Sequence, residues 1–185
     1  MEELVLQRLE PKHKVGLVVV ITGYGKGKTS SALGMILRAV GHGMKVCLIQ
    51  FMKGDTAYGE VKAIKNTPNF ELKQFGTDKL IAEPGEVDLE EGRKALKFAE
   101  KIILSDEYDI VILDEIGVAV EYGVVNVDDV LELIKKKPPK VELILTGGPK
   151  MHPKIKQEAD LLTEMTLIKH YYASKGIKAR FGIEY

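Results

Sequence analysis

The residues best equipped for chemistry lie close together in the stretch TGYGKGKT, Thr22 to Thr29. Gly23, Gly25 and Gly27 alternate there with Tyr24 and Lys26, and Lys28 and Thr29 follow. Glycines at this density let successive backbone N–H groups curl toward one point and form an anion nest. A helix starting at Gly27 would aim its unpaired N–H groups and the positive end of its dipole at the same place. Lys28 and Lys26 add mobile positive charge, and the Thr29 hydroxyl is a donor for Mg²⁺, with Mn²⁺ as an alternative. The chemistry implied is polyphosphate binding. A second acidic constellation completes it: the run Asp109 to Leu113 ends in Asp114-Glu115. An apolar strand running into such a pair supplies metal-holding carboxylates in nucleoside triphosphate sites. Lys53 follows another apolar run and is a third cation for the same site.

Those residues need a scaffold, and the flanking sequence specifies one. Val15 to Ile21 is short, β-branched and bounded by glycine, the pattern of a buried strand. A helix is expected from Lys28 to Val40, stopped by Gly41-His42-Gly43. Further strands are expected at 45–51, 70–75, 109–113, 141–146 and 161–168, with helices at 58–66, 87–104, 128–137 and 152–160. Residues 76–86 read as a loop and 169–185 as an irregular, aromatic and cationic tail. Residues 1–14 read as an N-terminal arm with a short helix ending at Pro11. Strands alternating with helices predict an α/β fold: a mostly parallel, RecA-like sheet with helices on both faces, in one domain over 1–185. Its site belongs at the carboxyl edge of the strands.

Composition narrows the class. The 185 residues are 45% apolar and 29% charged, as in a globular chain with a full core. Lys and Arg number 27 and so do Asp and Glu, so there is no basic surplus for a general nucleic-acid partner. No apolar run is long enough for a membrane span. The single cysteine, Cys47, sits in an apolar run and reads as a buried small hydrophobe, consistent with a cytoplasmic setting. Loop, acidic strand end and composition together point to a protein that binds a nucleoside triphosphate with Mg²⁺. They leave open an ATPase, a phosphotransferase or a non-catalytic nucleotide-dependent regulator. The usual loop pattern, G-x-x-x-x-G-K-[ST], also has glycine where this chain has Thr22.

The chain resembles the P-loop ATP:corrinoid adenosyltransferases over nearly all its length. Their loop reads T-G-N-G-K-G-K-T, matched by Thr22 to Thr29 with Tyr24 in place of Asn. The likeness continues through Arg38 to Val46, Gln50 to Gly54, Gly59-Glu60, Gly76-Thr77, Val111 to Glu115 and Ala159 to Met165, and ends in KHYYASKGIKARFGIEY. The resemblance implies transfer of the 5′-deoxyadenosyl group of ATP to the Co(I) of a reduced corrinoid, cobalamin or a precursor, with triphosphate released. It further implies a homodimer and a reduced flavoprotein as electron donor. On this reading Gly23, Tyr24, Gly25, Lys26, Gly27, Lys28, Thr29, Arg38 and Lys53 bind ATP. Lys28 and Lys26 stabilise the leaving triphosphate, and Thr29, Asp114 and Glu115 hold the metal. Many members carry a Trp-containing aromatic segment after the Gly-Thr step. Here the corresponding stretch is Gly76-Thr77-Asp78-Lys79-Leu80, and the chain has no Trp.

Overall fold

The computed structural model describes residues 15–54, 58–64, 66–77 and 83–184. The expected N-terminal arm and part of the 76–86 loop lie outside the described residues. Six strands form one sheet: β1 (Val18–Thr22), β2 (Val46–Gln50), β3 (Phe70–Gln74), β4 (Ile110–Asp114), β5 (Glu142–Thr146) and β6 (Leu161–Glu164). Their order is β3-β2-β4-β5-β1-β6, and every pairing is parallel. The helices are α1 (Lys28–Gly41), α2 (Gly59–Ile64), α3 (Glu86–Leu104), α4 (Ile116–Glu121), α5 (Val127–Lys136), α6 (Pro153–Gln157) and α7 (Tyr171–Lys175).

The central strands are apolar on both sides, because both faces of the sheet are covered. One set of alternate residues, Val18, Val20, Cys47, Ile49, Val111, Leu113, Leu143 and Leu145, packs with Ala95, Ala99 and Ile103 of α3, Val130 and Leu133 of α5, and Ile155 of α6. The other set, Val19, Ile21, Val46, Leu48, Ile110, Ile112 and Ile144, packs with Ala32, Ile36 and Ala39 of α1. This division follows from crossover handedness. The chain moves from β1 across to β2 and β3, then reverses toward β4, β5 and β6. Right-handed connections in opposite directions must place their helices on opposite faces. Cys47 is fully buried as expected, and burial pushes its thiol up to about 12, with Glu71 adding to the rise.

Several elements differ from the sequence expectation. β6 stops at Glu164 instead of continuing to Ile168, and all four of its residues are exposed. Two short helices were not expected: α4, directly after Asp114-Glu115, and α7, inside the tail. The α4 helix starts from Glu115 in the left-handed region, φ 62°, a conformation that ordinary propensity does not signal.

Candidate active site

Thr22, Gln50, Asp114 and Thr146 are the buried polar residues among the described ones. Each is the last residue of its strand, in β1, β2, β4 and β5 respectively. The parallel register therefore gathers four polar side chains along one carboxyl edge, where the apolar runs end. Asp114 is the centre of this row. Its Oδ1 accepts from Thr146 Oγ1 at 2.7 Å and Thr29 Oγ1 at 3.0 Å. Its Oδ2 accepts from Lys53 Nζ at 2.8 Å and Gln50 Nε2 at 3.0 Å. Burial alone would raise the Asp114 carboxyl. The Lys53 charge and the bonds from Lys53, Thr146 and Gln50 outweigh that and hold it below the usual carboxylate range. Burial likewise opposes the Lys53 charge, and Asp114 outweighs it, so the ammonium is held above its ordinary value.

The glycine-rich loop runs from β1 to α1. Gly23 has φ 112°, and a Cβ there would stand 2.4 Å from the Met165 carbonyl oxygen. Gly25 approaches the same carbonyl and donates its N–H to it at 2.6 Å. These glycines thus allow the loop to lie flat against the end of β6. Gly27, at φ 117°, is the N-cap of α1 and supplies no side chain to the helix N–H groups, which leaves them free for an anion. Thr22 acts elsewhere. Its hydroxyl donates to the Gly148 carbonyl at 2.6 Å, tying β1 to the loop after β5. A side chain at the position where the general pattern has glycine is therefore part of the scaffold here.

An open cavity of about 460 Å³ lies over this loop, within the range of small-ligand pockets. Lys26, Gly27, Lys28, Thr29, Lys53 and Glu115 line one side, and Leu33, Tyr58, Glu60, Gly182, Ile183 and Glu184 also contribute. Lys28 folds back to donate to the Gly23 and Gly25 carbonyls at 2.9 and 2.8 Å. Lys26 donates to Glu184 Oε1 at 2.6 Å and to the Ile183 carbonyl at 3.2 Å. Glu115 reaches the cavity while Asp114 lies behind it, fully buried. Burial and the neighbouring Asp114 raise the Glu115 carboxyl, with Lys53 and Lys28 partly offsetting them.

Gly27, Lys28, Thr29, Lys26, Lys53 and Glu115 thus share one cavity, with Asp114 bonded to two of them. Gly23 and Gly25 shape the loop from beneath. Tyr24 is 71% exposed and does not line the cavity. Arg38 is not brought to it either. Ten residues of helix carry it about 15 Å from Lys28, to a cleft with His42, Met44 and Glu142 at the opposite edge of the sheet. Thr146 and the wall formed by Gly182 to Glu184 were missed. A polar residue closing an apolar strand was the available signal for Thr146. For the tail the signals were its aromatic and cationic residues and its likeness to the family's terminus, neither of which says which residues face the cavity.

Residues 14–185 match the family model described as ATP:corrinoid adenosyltransferase BtuR/CobO/CobP. The chain belongs to the ATP:corrinoid adenosyltransferase family. Among similar proteins, the corrinoid adenosyltransferase of Pseudomonas aeruginosa is 35% identical over 173 residues, covering 92% of this chain and 84% of that one. The corrinoid adenosyltransferase of Escherichia coli K12 is 33% identical over 171 residues, covering 92% and 86%. Among solved structures, the flagellar accessory protein FlaH from Methanocaldococcus jannaschii superposes with a TM-score of 0.55 at 19% identity, covering 81% of this chain and 71% of that one. That likeness speaks to the fold alone.

Proposed function

We propose that the protein transfers the 5′-deoxyadenosyl group of ATP to the Co(I) of a reduced corrinoid and releases triphosphate. The observation that carries this reading is the convergence of the glycine loop, three lysines and the Asp114 network on one nucleotide-sized cavity, in a chain of this family. In the reaction the cobalt electron pair forms the Co–C5′ bond. The C5′–O bond breaks, and its pair leaves on the triphosphate. No proton moves, so the protein's work is to position C5′ and to stabilise leaving charge.

The residues suit that work. Lys28 is held by two neutral carbonyls, and exchanging them for anionic phosphate oxygens would turn ion–dipole bonds into ion pairs. Lys26 and the free N–H groups of α1 are the other donors to the triphosphate. Thr29 and Glu115, with Asp114 behind them, form a hard-oxygen donor set that suits Mg²⁺ or Mn²⁺. The Lys53 ammonium beside Asp114 is further support, because a cation is already accommodated at that carboxylate. When bound, the ion would neutralise charge on the departing triphosphate. Lys53 would then be free to turn to the substrate. Tyr58, whose ring lies 6.0 Å from the Lys53 ammonium, is the aromatic nearest that cation in the cavity.

We further propose a single catalytic domain acting as a homodimer in the cytoplasm, reduced by a flavoprotein, with cobalamin or its cobyrinic acid diamide precursor as acceptor. The deciding experiment supplies ATP, Mg²⁺ and chemically reduced cobalamin and follows the corrinoid spectrum and the phosphate products. Adenosylcorrinoid with intact triphosphate is expected; ADP or orthophosphate in its place would identify a phosphoanhydride-cleaving enzyme. Lys28→Ala should lower transfer by about 100-fold or more, the scale of losing one preorganised charge-stabilising donor.

A further inference from the structure

The C-terminal segment is built unlike the rest of the molecule. No residue from 166 to 184 is buried, yet Gly182, Ile183 and Glu184 form part of the nucleotide cavity. Without a core beneath it, the segment is held by a cluster of polar bonds on one carboxylate. Glu184 Oε1 accepts from Lys26 Nζ at 2.6 Å, from the Tyr171 hydroxyl at 2.6 Å and from Arg180 Nη2 at 3.0 Å. Its Oε2 accepts from the Arg180 backbone N–H at 2.6 Å and from Arg180 Nε at 3.3 Å. The Arg180 guanidinium lies over the Tyr171 ring at 4.9 Å, and His170 stacks on that tyrosine at 4.5 Å. Glu184 therefore closes the segment on itself, from α7 to its end, and fastens it to the phosphate loop through Lys26.

We propose that Glu184 is a positioning residue for ATP. By gathering Lys26, Tyr171 and Arg180 it docks the C-terminal segment as the outer wall of the cavity and fixes the Lys26 ammonium at the rim. This rests on the nucleotide reading of that cavity. A lone exposed ion pair would contribute little. Here, though, five donor groups share one carboxylate, and two charged side chains are among their sources. The cluster of Lys26, Arg180 and Glu184 keeps a net positive charge, so it still attracts a triphosphate. Lys26, 48% exposed in its side chain, would otherwise be a freely moving lysine. Holding it in place before ATP arrives removes part of the ordering cost of binding.

The test uses the full chain, with Mg²⁺ and no corrinoid, so that binding is separated from transfer. ATP affinity is measured calorimetrically for the wild type, Glu184→Gln and Tyr171→Phe. Docking of the segment is read from the rate of tryptic cleavage after Lys175 and Lys178. Glu184→Gln should bind ATP about five- to tenfold more weakly and be cleaved about tenfold faster, with an unchanged thermal midpoint because nothing buried is lost. In the transfer assay it should raise the KM for ATP and leave kcat within about twofold. Tyr171→Phe removes one donor without altering charge and should shift both readouts the same way by a smaller factor. Wild-type affinity and cleavage in Glu184→Gln would overturn the proposal, as would tighter ATP binding, which would make the segment a brake. A wild-type protein that binds no ATP would overturn the nucleotide reading as well.

Discussion

Asp114 accepts four side-chain hydrogen bonds and is fully buried, so its ionised form depends on its neighbours. Lys53 is the one that carries compensating charge. Removing one member of a buried pair costs more than the pair contributes, because the other charge is stranded. Lys53→Met should therefore lower stability at neutral pH by about 2–3 kcal/mol, less than the full value because three hydrogen bonds to Asp114 remain. The pH dependence has a definite sign. The native Asp114 carboxyl is depressed, so its contribution is present above the unfolded carboxylate pKa and is lost as pH falls through the lower folded value. The raised Lys53 keeps its charge up to alkaline pH. The difference in thermal midpoint between wild type and Lys53→Met should thus be widest near neutrality and shrink toward acid, where Asp114 protonates. A difference independent of pH would show that the lost interaction is packing rather than charge. The sequence marked Asp114 and Lys53 as site residues by their places after apolar strands. It could not show that they bond to each other, since that depends on β2 lying beside β4.

At the scale of elements, the segment after β2 is held in a strained form. Met52 has φ 54°, the left-handed region that a side-chain-bearing residue seldom adopts. Its neighbour Lys53 donates its N–H to the Phe75 carbonyl at 3.0 Å. Gly76, at φ 133°, makes this possible, because a Cβ there would stand 2.8 Å from the Lys53 nitrogen. Gly76→Ala should displace the 52–53 backbone and lower ATP affinity about tenfold, with a stability loss of about 1–3 kcal/mol. Titration with ATP beside a thermal melt checks both, and unchanged affinity would mean that Lys53 is seated by other contacts. The strands were legible because a parallel sheet covered on both faces demands continuous apolar runs, which β1, β2, β4 and β5 have. Helix α1 was legible from its glycine stop. The α4 helix was not, being six residues launched from a left-handed Glu115. The place of Arg38 was not legible for a different reason: a motif fixes spacing along the chain, while the rise of the helix carries its far end to the cleft with His42, Met44 and Glu142.

At the scale of the molecule, the sheet ends asymmetrically. β6 is an edge strand, and neither face of it is covered among the described residues. Leu161 is in register with Val19 and Leu162 with Val20, which places them on opposite faces. They are nonetheless 53% and 47% exposed, where their partners in β1 are buried. An unpaired edge with apolar side chains invites association unless something covers it. Beyond it, Leu167, Ile168 and Phe181 are exposed as well, the last two at 93% and 83%. A stable dimer needs roughly 800 Å² from each partner, and an edge strand with its adjoining apolar segment is the described surface best suited to supply that area. The proposed homodimer is therefore expected to form across β6. Sedimentation equilibrium should return twice the 20.5 kDa chain mass. The double variant Leu161→Glu, Leu162→Glu should return a single chain with an unchanged circular dichroism spectrum, because burying two added charges at the contact opposes association while the core is untouched. A wild-type monomer would sink the dimer. A double variant that stays dimeric would move the interface away from β6.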